Sequence, residues 1–392
     1  MTDRLYYNDS YLIRFEAEVL EADAERRRIY LDRTAFYPES GGQPSDAGQL
    51  GGIDVEDIVD EDSRIVHVLR ESLTDTRVSG LVDWPRRFDH MQQHTGQHLL
   101  SAVLVDMFDA ATVSFHLGAE ACTIDIARTL EPSEIRRAEL RANEIVFENR
   151  PVAVSYQDST EDLALRKPTE REGTIRIVAI QDLDRSACGG THVRATGEIG
   201  PILIRKLDRI RGNQRIEFIC GMRAVKRAQA DYQALSEIAR VFSSPVDETP
   251  LLVAAQREKL QEAEKAHRRA AMELAQASGR ELYAKTPPGS GDTRRVERRV
   301  ESLSDEIRSE AQAFTSGSKS IFLAIGQNPP ALLLAASHDS GINAGAVLKE
   351  SFAAVGGRGG GSATMAQGSV PSAAALEQTT QALLTRLDFV RT

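Results

Sequence analysis

Met91-Gln-Gln-His-Thr-Gly-Gln-His98 and Ser186-Ala-Cys-Gly-Gly-Thr-His192 each place two candidate ligands four residues apart. On a helix, side chains at i and i+4 leave one face, so His94 and His98 can grip one ion together. Cys188 and His192 add a thiolate and a third imidazole, with Gly189 and Gly190 letting the backbone turn between them without a Cβ clash. Three imidazoles and one thiolate suit a tetrahedral Zn²⁺ site. No Glu follows His94, which removes the His-Glu-x-x-His protease reading. His90 and His116 are left over as structural or substrate-contacting histidines. Four protein ligands describe a closed structural site, whereas catalytic zinc keeps one position open. Either Cys188 or His192 gives way to water or substrate during turnover, or the ion mainly positions the substrate.

Around these ligands the chain divides into four stretches, and the fold class is α+β. Residues 1–85 read as a small β-barrel domain. Tyr11 to Leu20, Arg28 to Asp32 and Ile65 to Leu69 are short strand-like segments, broken by a dense turn cluster from Glu39 to Gly48. Residues 86–221 form a mixed helix and strand domain that holds all four ligands. Its helices are expected at Gln93 to Met107 and Pro132 to Glu148, and its strands at Val152 to Tyr156, Ile175 to Ile180 and Ile202 to Leu207. Residues 222–285 read as a long helical hairpin arm. Val253, Leu260, His267 and Leu274 recur every seven residues along its second helix, with Thr249 or a neighbour as cap and Pro250 in the first turn. Residues 286–392 open on a linker, Thr286-Pro-Pro-Gly-Ser-Gly-Asp292, and continue as an α/β domain. In it a helix is expected at Arg295 to Phe314, strands at Ser320 to Ile325 and Ala331 to Ala336, and a helix at Ala373 to Leu387. The run Val355-Gly-Gly-Arg-Gly-Gly-Gly-Ser362 is either a flexible loop or an element where bare backbone approaches a partner.

A formal net charge of −10 argues against a protein that coats nucleic acid indiscriminately. Local basic density is a separate matter, since Arg205, Lys206, Arg209, Arg211, Arg215, Arg223, Lys226 and Arg227 crowd the stretch after His192. They form either a solvated face or a surface that tracks phosphates. No apolar run approaches the roughly 20 residues of a membrane span, so no membrane partner is expected. The opening residues show no secretory signal. Three cysteines, an odd number, suggest no disulfide framework, and a cytoplasmic setting fits best.

Asp32-Arg-Thr-Ala-Phe-Tyr-Pro-Glu-Ser-Gly-Gly-Gln-Pro-Ser-Asp46 is the second constellation. Pro and Gly can set an elaborate hairpin there. Thr34, Glu39, Gln43 and Asp46 gathered around Gly41 and Gly42 also suit a pocket for a small polar group.

Thr-Ala-Phe-Tyr-Pro-Glu-Ser-Gly-Gly-Gln, then His-Thr-Gly-Gln-His-Leu-Leu, then Cys-Gly-Gly-Thr-His resembles the editing region of alanyl-tRNA synthetases, and most of all their freestanding AlaX relatives. The glycine-rich run ending Ala-Thr-Met-Ala-Gln-Gly is similar to the signature of the DHHA1 domain, and the resemblance covers nearly the whole chain. It implies a long AlaX form: a trans-editing hydrolase that deacylates Ser-tRNA(Ala), Gly-tRNA(Ala) or both, without ATP. Zn²⁺ would sit on His94, His98, Cys188 and His192. Thr34 would bond the serine hydroxyl, Gln43 would border the pocket, and backbone amides near Gly41 and Gly42 would contact the aminoacyl group. Arg205, Lys206, Arg209, Arg211, Arg215 and Arg358 would meet tRNA, and the arm or the C-terminal domain could hold a second copy of the chain. The alternatives are a zinc-stabilised, non-catalytic tRNA-binding module and an esterase for small aminoacyl compounds.

Overall fold

The computed structural model describes residues 1–160, 162–170 and 172–389, divided into two compact units, Met1–Arg240 and Val241–Thr392. In the first, six strands close into a barrel in the order Arg14–Ala22, Arg28–Leu31, Arg64–Leu69, Ile53–Glu61, Gly48–Leu50, Arg77–Val82. Alternation along the first strand decides what fills it: Phe15 and Ala17 are buried while Arg14, Glu16 and Glu18 are exposed. Ile29, Leu31, Phe36, Ile65 and Val78 complete that core.

Helix α1, Trp84–Phe108, follows the barrel directly. Asp83 caps it by accepting from the Arg86 amide at 3.3 Å, and Pro85 occupies its first turn. The helix is buried along most of its length, and Gly96 shows how tightly, because a Cβ there would meet Cys220 Sγ at 2.3 Å. It shares a core with α2, Pro132–Glu148, and with a four-stranded antiparallel sheet ordered Ile202–Ile210, Asn213–Cys220, Cys122–Ile126, Thr112–Leu117. A second antiparallel sheet of Val152–Asp158, Thr174–Ile180 and Asp184–Ala187 delivers Cys188 at its end. Helix α3, Gly221–Phe242, continues from the four-stranded sheet.

The second unit begins with α4, Thr249–Lys285. The expected 222–285 arm is thus shared out, α3 falling almost wholly in the first unit and α4 in the second. Pro250 lies in the first turn of α4 as expected. Glu248, not Thr249, holds the cap position without a side-chain bond, and the Thr249 hydroxyl donates to the Pro245 carbonyl at 3.4 Å instead. Val253, Leu260 and Leu274 of the heptad seam stay exposed. The C-terminal part of α4 crosses α5, Asp305–Thr315, so closely that a Cβ on Gly279 would meet the Glu310 carbonyl at 2.2 Å.

Arg295 to Phe314 is not one helix. Arg294–Val300 is an edge strand paired parallel with Ser320–Gly326, and only Asp305–Thr315 is helical. Val296 and Val300, four apart, imitate a helical period, but the ladder to the neighbouring strand decides the backbone. The five-stranded sheet runs Arg294–Val300, Ser320–Gly326, Ala331–Ala336, Met365–Ser369, Arg358–Gly361. The strand Ser320–Gly326 is buried on both faces. Ile321, Leu323 and Ile325 pack with α6, Ala344–Ala353, and α7, Ala373–Arg386, whereas Phe322 and Ala324 pack with α5 and Leu282 of α4. The glycine-rich run is therefore an edge strand, not a loop. A Cβ on Gly359 would strike Phe352 of α6 at 2.5 Å, so the bare strand lets that helix lie close. Arg358 on this strand is exposed. Among the described residues no helix is long and apolar enough to cross a membrane.

Candidate metal centre and its cavity

α1 presents His94 and His98 from one face, and the turn after Asp184–Ala187 brings Cys188 and His192 to meet them. The four ligand atoms all lie within 4.8 Å of one another. Cys188 Sγ is 3.4 Å from His94 Nε2 and 3.3 Å from His192 Nε2. A zinc-like ion with bonds of about 2.0 Å to nitrogen and about 2.3 Å to sulfur separates such atoms by about 3.5 Å at tetrahedral angles. Each remaining ring nitrogen is held from behind. His94 Nδ1 meets Gln43 Oε1 at 2.8 Å, His98 Nδ1 meets Asp184 Oδ2 at 3.0 Å, and His192 Nδ1 meets Thr95 Oγ1 at 3.1 Å. That leaves all three Nε2 atoms turned toward the sulfur, the arrangement in which outer partners fix tautomer and ring direction for a bound cation. The donor set fits a metal.

Electrostatics agree with the geometry. Burial would push the Cys188 thiol up, but His94 and His192 draw it well below its ordinary value, toward thiolate. Burial works against a charged His98, yet Asp184 and Cys188 raise it to about 9, while burial takes His192 down to about 3. Asp184 is held below the usual carboxylate range against its own burial by His98 and Arg166. Arg166 Nε donates to Asp184 Oδ1 at 2.7 Å.

The cluster opens onto a cavity of about 1140 Å³. His94, His98 and Cys188 reach its wall, together with Gly41, Gly42, Gln97 and an aromatic group of Tyr7, Tyr37, Phe115 and Tyr156. Gly41 and Gly42 have φ of +55° and +80°, a consecutive left-handed pair that favours glycine. At Gly42 a Cβ would also meet the Phe115 ring at 2.9 Å.

Of the residues expected around the pocket, the structure brings Gly41 and Gly42 to the wall and sets Gln43 behind His94. Thr34 is fully buried, lies outside the cavity wall and is engaged elsewhere. Its hydroxyl bonds His67 Nε2 at 2.8 Å and accepts from the Phe36 amide at 3.1 Å. Asp46 serves the frame, pairing with Arg87 and accepting from the Tyr37 amide at 2.6 Å, and Glu39 is exposed. The basic stretch is largely neutralised: Arg205 and Arg227 pair with Asp231, Lys206 with Asp208, Arg215 with Asp125 and Arg223 with Asp89. Arg209 and Arg211 are exposed on the adjoining hairpin. Sequence reasoning missed Thr95, Gln97, Arg166 and Asp184. The only local signal was adjacency, since Thr95 follows His94 and Asp184 lies four residues before Cys188.

Comparison with known proteins places this site in context. The model of the threonyl and alanyl tRNA synthetase second additional domain matches residues 175–217, the segment carrying Cys188 and His192. The DHHA1 domain model matches residues 292–388. The alanyl-tRNA editing protein AlaX-L of Pyrococcus horikoshii is 37% identical over 265 residues, covering 64% of this chain and 64% of that one. By this match the chain is similar to the AlaX editing proteins. Alanine–tRNA ligases of Methanoregula boonei and Pyrococcus abyssi are 33% and 32% identical to this chain, each match covering 94% of it and 42% of the ligase. The chain thus spans less than two thirds of the length of these curated relatives.

Proposed function

We propose that this chain is an AlaX-type editing protein that hydrolyses the ester of mischarged tRNA(Ala), removing serine, glycine or both. The observation that carries the reading is a three-histidine, one-cysteine cluster opening onto a cavity with an aromatic wall. A synthetase pocket for alanine rejects glycine and serine only by roughly 10²-fold, so a second hydrolytic site is required. In the hydrolysis water adds to the ester carbonyl, the bond to the ribose oxygen breaks, and free amino acid leaves while the tRNA regains its 3′-terminal hydroxyl. Zn²⁺ on His94, His98, Cys188 and His192 would polarise water or carbonyl and hold the ribose end. Backbone amides around Gly41 and Gly42 would contact the aminoacyl group, and Tyr7, Tyr37, Phe115 and Tyr156 give the terminal base surfaces for stacking. Gln43 positions His94 rather than touching substrate.

For the body of tRNA, the proposal rests on Arg209, Arg211 and Arg358, which are exposed. Arg205, Lys206 and Arg215 already carry carboxylate partners and would have to exchange them. The exposed seam of α4, or the C-terminal unit, would take a second copy of the chain, which sedimentation would read. A cytoplasmic setting suits a tRNA substrate and a thiolate ligand.

A four-ligand, closed set also favours a second reading, in which zinc only stabilises a tRNA-binding module. Deacylation of purified Ser-tRNA(Ala), Gly-tRNA(Ala) and Ala-tRNA(Ala), with and without chelator, separates the two. Release of serine or glycine, sparing alanine and abolished by chelator, is the expected result. Binding of tRNA with no release of any amino acid would leave only the module.

A further inference from the structure

We infer that Gln97 is a substrate contact, its side-chain carbonyl accepting a hydrogen bond from a donor beside the scissile ester; this rests on the function just proposed. Gln97 stands between His94 and His98 in sequence, is only 2% exposed, and still reaches the cavity wall. Its Nε2 donates to Ser101 Oγ at 2.8 Å, and Thr112 Oγ1 donates to that same hydroxyl at 2.8 Å. The carboxamide is therefore anchored by its nitrogen. Its Oε1 is buried and has no hydrogen-bond partner among the described residues. A buried acceptor left unpaired is costly, and native proteins satisfy nearly all of them.

A carbonyl oxygen only accepts, so whatever completes this site must bring N–H or O–H. Within one helical turn of two candidate metal ligands, the donors that a seryl and a glycyl ribose ester have in common are the α-ammonium and the free ribose hydroxyl. Both flank the ester carbonyl, so either contact would set how the carbonyl meets the metal. Leu at position 97 would keep the bulk and lose the acceptor. Glu would keep the acceptor.

The test is binding of the non-hydrolysable serine amide of 3′-amino-3′-deoxyadenosine to the metal-loaded full chain, followed by deacylation of Ser-tRNA(Ala). Metal content and thermal unfolding serve as controls for the variants. Gln97→Leu should weaken binding of the amide by about tenfold, with metal stoichiometry unchanged, and Gln97→Glu should retain it. Repeating the measurement with an analogue lacking the α-amino group and one lacking the 2′-hydroxyl identifies the donor, because the loss in Gln97→Leu should vanish for whichever analogue lacks it. Equal loss across all three compounds, or no loss, overturns the inference, as does failure of wild type to bind the amide. If wild type binds the amide and the variant effect holds but no ester is cleaved, the contact stands and the hydrolytic reading falls.

Discussion

Gln43 Oε1 sits 2.8 Å from His94 Nδ1 and also accepts from the Thr191 amide at 3.1 Å, while its Nε2 donates to Thr191 Oγ1 at 2.8 Å. One carboxamide from the Gly41-Gly42 turn thus joins both segments of the candidate metal centre. Outer partners of this kind are worth 10–100-fold in metal affinity. Gln43→Ala should lower zinc affinity by about that factor in a chelator competition, with serine release falling in step. Unaltered affinity in a folded variant would show that the turn contributes nothing to the centre.

The two glycines of the Cys-Gly-Gly-Thr-His turn should behave differently. A Cβ on Gly190 would lie 2.2 Å from His94 Cε1 and 3.1 Å from Gln43 Oε1, whereas one on Gly189 would find only Tyr7, at 3.6 Å. Gly190→Ala must therefore displace a ligand, and the purified protein is expected to carry well under one zinc per chain. Gly189→Ala should stay close to stoichiometric. Metal analysis of both proteins after equal purification decides it; equal zinc in the two would contradict the close approach.

Arg87 carries the frame. Fully buried in the first turn of α1, it pairs with Asp46 through Nε at 2.9 Å and through Nη2, and donates to the carbonyls of Ser10 at 2.8 Å and Ala35 at 2.6 Å. The barrel and the metal helix are held in register by that guanidinium. Removing one member of a buried pair leaves the other charge uncompensated, at a cost of about 3–5 kcal/mol. Arg87→Met should lower the unfolding free energy of the first unit by that amount in a urea titration. A change of under about 1 kcal/mol would mean the carboxylate relaxes to water.

The meeting of the four side chains was legible in part: i, i+4 spacing states a face for His94 and His98 on α1, whereas Cys188 and His192 come from a turn, where spacing alone fixes no face. Their supports were not: Asp184 and Thr95 matter only once the strand Asp184–Ala187 lies against α1, a tertiary fact with no sequence period. Thr34 misled by type. A threonine near paired glycines suits a polar pocket, but its partner His67 is 33 residues away and draws the hydroxyl elsewhere. The glycines after Val355 left two readings open, a flexible loop or bare backbone that something approaches closely, and only Phe352 lying against Gly359 decides for the close approach. Arg294–Val300 shows the same limit, because a short edge strand and a helical turn share the valine spacing that the sequence displays.

His67 gives the barrel a pH dependence of definite sign. Its ring is fully buried, with Nε2 at 2.8 Å from Thr34 Oγ1 and Nδ1 at 3.2 Å from the Ile29 carbonyl. Burial outweighs that carbonyl and pulls the imidazole down to about 4 from an ordinary 6.5. Between those two values the unfolded chain binds a proton that the folded barrel refuses. Stability is therefore complete above about pH 6.5 and declines as pH falls toward 4, by about 3 kcal/mol from this group. His67→Gln, which keeps a polar partner for Thr34 but cannot take the proton, should lose less stability than wild type between pH 7 and pH 4.5. Urea unfolding at the two pH values gives the comparison. Parallel losses in both proteins would mean that the folded barrel takes up the His67 proton as readily as the unfolded chain does, so that burial does not govern the ring.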